Sequence, residues 1–224
     1  MKHTEREMQS LRDEVKQMWK LVLSQLEKAK QSFINSDIES ALEIVSREKR
    51  VDAFELKIDS DCENYIALYN PVAIDLRLAL SMIKISNTLE RIGDFAAGVA
   101  RHVIDNDCNK VDTKLVKDLQ IEKMFDVLIG MLSDCFVALE SENTKISGKI
   151  LAKDDEIDEI YHNSINVLSD YLQNNVSYIR CGLKLLLVIR KLERIGDHCS
   201  NIVEEIVFYL DAKVLKHGAC KIGR

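Results

Sequence analysis

The chain has a single proline and only eight glycines in 224 residues, and aromatic residues make up 6 % of it. Turns draw on Gly, Pro, Asn and Asp, and a sheet protein of this size needs many turns. Scarce turn formers beside abundant Leu, Ile, Lys and Glu argue against strands and for long helices. No apolar run approaches the roughly 20 residues of a membrane span. The opening MKHTEREMQSLRDEV lacks the apolar segment of a secretory leader. These two absences predict a cytoplasmic protein. The formal net charge is −6, so nucleic acid, which rewards basic stripes, is not an expected partner. No CxxC occurs among the six cysteines, and zinc-ribbon spacing is therefore missing. Several cysteines fall at apolar helix positions, where reduced structural thiols are expected.

What remains is helical periodicity along nearly the whole chain. Leu11, Val15, Met18, Val22 and Ala29 mark a first helix over about 5–34. Ser36 or Asp37 can cap a second helix, about 38–68, carried by Val51, Phe54, Ile58 and Tyr65. Asn70–Pro71 ends it, and Pro71 suits the first turn of a third helix over about 71–105. After the polar stretch IDNDCNKVDT, a fourth helix is predicted over about 113–140, a fifth over about 149–172 and a sixth over about 177–211. The methionines at 18, 82, 124 and 131 fit core stripes.

The hexapeptide LERIGD occurs twice, at Leu89–Asp94 and Leu192–Asp197, a shift of 103 (192 − 89). The repeat is longer than six residues. Met82, Ile85, Leu89, Ile92, Ala96, Val99 and Val103 form an apolar heptad. The same shift gives Leu185, Val188, Leu192, Ile195, Cys199, Ile202 and Ile206. EKRVDAF and DDEIDEI correspond at a shift of 106 (154 − 48). The expectation is an all-α fold of two tandem three-helix bundles related by internal pseudo-twofold duplication. Its boundaries are 1–107, 108–212 and a flexible tail, 213–224.

Helix geometry separates the acids of the hexapeptide from its core positions. At 100° per residue, Glu90 and Asp94 project roughly 130–170° from the apolar stripe and share a face. Glu193 and Asp197 repeat them, with Asn201 and Glu204 alongside. Glu48, Asp52, Glu55 and Asp59 line one face of the second helix, and Asp154 and Asp158 form a shorter version in the fifth. Crowded carboxylates raise one another's pKa, and a hard divalent or trivalent cation relieves them through oxygen ligands. Three readings of these faces stand: a metal site, a solvated acidic face that binds nothing, or a metal-dependent phosphohydrolase using the clustered carboxylates. Gly93 and Gly196 lie at the stripe's edge, where the cost of glycine in a helix suggests close helix approach. His198 sits about 100° from the acids and is expected to be a satisfied helix histidine.

NPVAIDLRLALSMIKISNTLERIGDFA and the second LERIGDHCSNIVEEI resemble the two signature copies of the PhoU family, and the resemblance spans essentially the whole chain. It implies a non-enzymatic, cytoplasmic, often dimeric regulator of phosphate uptake. Such a regulator links the transporter's ATPase subunit PstB to the sensor kinase PhoR and represses phosphate-starvation genes. It also implies a multinuclear metal, iron or another hard cation, on the acidic faces. By resemblance Glu90, Asp94, Glu193, Asp197 and Asn201 match the family's ligands. Asp52 and Asp158 match acids of the adjoining helices, with Glu48 and Asp154 beside them. Asp75 and Arg77 match a DLR element for partner contact or site support, and Arg180 retains its arginine in the second copy. Two positions depart: Gly98 stands where the family often has Asn, and Tyr178 where Asp75 would map.

Overall fold

A computed structural model describes residues 3–105 and 112–214. Cys108, Cys220, the expected boundary at 107/108 and the tail beyond 214 lie outside the described residues. Within them the chain forms α1 (His3–Asn35), α2 (Ile38–Ser46), α3 (Glu48–Tyr69), α4 (Ala73–Asp105), α5 (Thr113–Asp118), α6 (Ile121–Glu140), α7 (Ser147–Asn174) and α8 (Ile179–Asp211). Two single 3-10 turns precede α7 and α8, and no strand forms among the described residues.

Two of the six expected helices are each broken in two, for local reasons. The second breaks at Arg47, whose N–H bonds Ile44 O at 3.1 Å. One residue earlier, Ser46 Oγ donates to Glu43 O at 2.7 Å, a back-bond that competes with the helical ladder. The fourth breaks where Gln120 turns left-handed at φ 53°. Asp37 caps α2 as expected, accepting from Ser40 N at 3.1 Å. The third helix starts at Ala73 rather than Pro71, behind Asn70, whose φ of 45° terminates α3.

Every residue of both predicted heptads is buried, and the core runs through both halves without a gap. Its spine is α4 against α8. Near the start of α4, Arg77 Nε donates to Tyr209 O at 3.1 Å and Ser81 Oγ to Glu205 O at 3.3 Å, both near the end of α8. The two helices are therefore antiparallel. Phe95 and His198, equivalent under the shift of 103 (198 − 95), stack on each other with ring centroids 5.6 Å apart. Equivalent residues that touch lie at the axis relating the copies, so the duplication axis passes through this stack. Flanking it, α1 meets α6 across the halves, and Trp19 Nε1 donates to Leu132 O at 3.1 Å. Cys62, Cys135 and Cys199 are free and buried, as expected, whereas Cys181 is disulfide-bonded and corrects the expectation of a reduced thiol there.

Because the core is continuous, a cavity in one half is felt in the other. Leu192→Ala in α8, at a site with 0 % exposure, is expected to cost about 2–5 kcal/mol. Urea unfolding followed by the chain's single tryptophan, Trp19 in α1, should report that loss as a lowered midpoint. An unchanged Trp19 midpoint beside a lowered helical signal would show two independently unfolding halves.

Candidate metal centre on two acidic helix faces

Val51, Ile58, Cys62 and Tyr65 bury one stripe of α3. That seats the helix along α4 and turns its acids toward Glu90 and Asp94. The approach is close because Gly93 has no side chain: a Cβ there would meet Gln25 Oε1 at 3.2 Å and Val51 Cγ1 at 3.5 Å. At Gly196 a Cβ would lie 2.6 Å from Asp154 Oδ1. Both glycines thus act as the sequence suggested, admitting a neighbouring helix.

On the first face Asp52, Glu90 and Asp94 each present a carboxylate oxygen, and the three oxygens lie within 4.8 Å of one another. This fits a hard cation, since three converging carboxylates, with no ammonium or guanidinium paired to them among the described residues, form an all-oxygen donor set. Burial pushes Glu90 up to about 7, with Asp94 and Glu55 adding like-charge repulsion. Glu55 is also raised, by burial and then by Asp59 and Asp52, against an opposing pull from Arg91. Asn87 Nδ2 donates to Glu55 Oε1 at 2.7 Å, and neither residue belonged to the expected ligand set. Glu48, expected among the ligands, is instead ion-paired with Arg101.

The second face is built differently. The shift of 103 puts Glu204 where the first copy has Arg101, and Ser200 where it has Ala97. Without that arginine, the counterpart of Glu48, Asp154, turns inward. Ser200 Oγ donates to Asp154 Oδ2 at 2.6 Å, and Asp154 Oδ1 is buried with no partner. Burial pushes Asp154 up to about 6, with Asp158 and Asp197 adding and the Ser200 hydrogen bond opposing. Asp158 is raised by burial and then by Asp197, and Glu193 by burial and then by Asp197 and Asp158. These four acids form one electrostatic cluster, and half-buried Asn201 lies one turn beyond Asp197. Among the described residues, however, three ligand oxygens converge within 4.8 Å only on the first face.

Other expected residues lie elsewhere. Asp75 is exposed in the first turn of α4, and Arg77 binds the last turn of α8. Arg77 is 13 residues from Glu90 (90 − 77), about 20 Å along the helix, so it does not support the acidic face. Arg180 is exposed at the start of α8. His198 is buried at 9 % exposure and stacked on Phe95, away from the acids, and its Nε2 has no hydrogen-bond partner among the described residues.

The raised carboxyls make a signed prediction. The folded chain holds protons on Glu90 and Asp154 that the unfolded chain, at ordinary values of 4.5 and 3.8, has released. The stability they contribute is full below those values and is lost as pH rises toward about 7 and about 6. In chelator, stability measured by urea unfolding should fall between pH 5 and 7, and Glu90→Gln with Asp154→Asn should flatten that slope. A wild-type slope of opposite sign in this window would contradict the geometry.

Comparison with known proteins bears on this arrangement. The PhoU domain model matches residues 15–103 and 121–206, one copy in each half. The phosphate-specific transport system accessory protein PhoU of Escherichia coli (strain K12) is 31 % identical over 211 residues, covering 94 % of this chain and 86 % of that one. A homolog from Aquifex aeolicus (strain VF5) is 30 % identical over 212 residues, covering 95 % of each chain. The crystal structure of PhoU from Pseudomonas aeruginosa superposes with a TM-score of 0.88 at 26 % identity, covering 93 % of this chain and 99 % of that one. With both halves matched by its domain model, the chain belongs to the PhoU family.

Proposed function

We propose that this chain is a cytoplasmic accessory regulator of phosphate transport that acts through protein contacts rather than turnover. The observation that carries the reading is the match of both halves to a family whose relatives are named accessory proteins of the phosphate-specific transport system. In this reading the chain, as a homodimer, contacts a PstB-like ATPase subunit and a PhoR-like sensor kinase, and represses phosphate-starvation genes when phosphate is ample. That no helix among the described residues is long and apolar enough to cross a membrane is consistent with membrane contact through such partners.

The acidic faces would hold the cation that sets the regulator's state. Asp52, Glu90 and Asp94 would bind it on the first face, and Asp154, Asp158, Glu193 and Asp197 on the second. When bound, a hard cation supplies positive charge that neutralises the crowded carboxylates.

A strain lacking this chain should express phosphate-starvation genes in phosphate-rich medium, and the intact gene should restore repression; normal repression in the deletion strain would overturn the regulatory reading. Protein purified without an affinity tag should contain metal at stoichiometric level, measured by plasma mass spectrometry. Glu90→Ala/Asp94→Ala and Glu193→Ala/Asp197→Ala should each remove part of it. Equal, sub-stoichiometric metal in all three proteins would leave the acids as a solvated face.

A further inference from the structure

The second copy carries one helix face that the first does not match. Residues 171–192 hold four cations, Arg180, Lys184, Arg190 and Lys191, and no acid, in a chain of net charge −6. Within this stretch Val176, Ile179, Leu183 and Leu187 are 44–67 % exposed. At 100° per residue, Ile179, Arg180, Leu183, Leu187 and Arg190 fall within roughly 100° of one another, on the side of α8 opposite its buried heptad. Arg180 and Arg190 are exposed as well. Glu193, the first acid beyond them, is half-buried and feels Asp197 and Asp158, with Arg190 opposing. Asp197 ends the basic stretch, 10 residues past Leu187 (197 − 187) and about 15 Å along the helix.

The first copy shows that packing does not demand such a face. Under the shift of 103, Leu187 corresponds to Lys84 (187 − 84). Lys84 Nζ pairs with Glu205 Oε1 at 2.9 Å and lies over the Phe208 ring, 5.5 Å from its centroid. Arg77, the counterpart of Arg180, donates to Tyr209 O. The end of α8 thus engages that face in the first copy, and it stays polar. In the second copy an exposed leucine stands in the lysine's place. Single exposed apolar residues are ordinary, whereas aliphatics in register on one face mark a surface that something covers.

Charge and shape select what covers it. A second copy docked antiparallel, leucines on leucines, would set arginine against arginine at both ends of the contact. A row of side chains on one helix is convex, so a rigid protein partner would need a groove cut to it, whereas a fluid bilayer conforms. We propose that this face of α8 seats directly on an anionic phospholipid surface. Ile179, Leu183 and Leu187 enter the boundary between headgroups and acyl chains. Arg180 and Arg190 stay at the level of the lipid phosphates, their stems lying along the apolar surface. The contact is confined to the first half of α8, and no helix spans the bilayer.

The test uses the full chain in buffer without added divalent cations, so that no cation bridges an acid to a lipid. The chain should co-sediment with vesicles of equimolar phosphatidylglycerol and phosphatidylcholine, and not with phosphatidylcholine alone. Salt at about 0.5 M, which shortens the screening length to a few ångström, should release it. Leu183→Gln/Leu187→Gln should weaken binding about tenfold or more while melting as wild type does, because both sites are exposed. Arg180→Gln/Arg190→Gln should weaken it by a similar factor. Leu56→Gln, at an exposed leucine of α3 beside Glu55, should bind as wild type does. No binding to the mixed vesicles, equal binding to phosphatidylcholine alone, or undiminished binding by L183Q/L187Q would overturn the proposal. So would an oligomer, sized by light scattering, that L183Q/L187Q dissociates, since the face would then belong to a second copy.

Discussion

The antiparallel contact between α4 and α8 is the constraint on which the rest of this molecule depends. Each helix carries an unbroken apolar heptad, and each must also bury a flank against its own bundle. Packing the two copies of one helix on each other satisfies both demands and fuses two bundles into a single core. It also leaves the far side of each helix for α3 or α7. The acids of LERIGD project to that side, so one packing solution both hides Leu89, Ile92, Leu192 and Ile195 and crowds the carboxylates.

Crowding has an energetic cost that the copies meet in different ways. In the first, Arg101 neutralises Glu48, and Asp52, Glu90 and Asp94 are left to converge. In the second, Glu204 replaces the arginine, Ser200 holds Asp154, and one carboxylate oxygen stays buried without a partner against Gly196. Duplication supplied the frame, and divergence at positions 101/204 and 97/200 set the charge balance within it. The faces are therefore related but not interchangeable, and the first has the tighter donor geometry.

Much of this was legible in the sequence because it follows from helical period alone. The heptads, the Asp37 cap, the duplication and the shared face of Glu90 and Asp94 all depend on spacing along one helix. Features that depend on two helices were not legible. The engagement of Glu48 by Arg101 joins residues 53 apart, and the place of Arg77 depends on where α8 ends. The breaks at Arg47 and Gln120 escaped the periodicity because the apolar pattern continues across them. The Phe95–His198 stack was within reach, since equivalent residues of an antiparallel pair must meet somewhere near the middle. The repeat states that equivalence, but only the packing reveals which residues lie at the axis.

Under the function proposed above, the converging carboxylates would hold a cation. The most direct measurement of this is anomalous diffraction from crystals of the untagged protein, collected on both sides of the iron edge and, if that is silent, at the edges of other transition metals. The account predicts a peak bounded by Asp52, Glu90 and Asp94, with a second beside Asp154, Asp158, Glu193 and Asp197. Density that shows only water at both faces, with anomalous peaks absent or elsewhere, would contradict it.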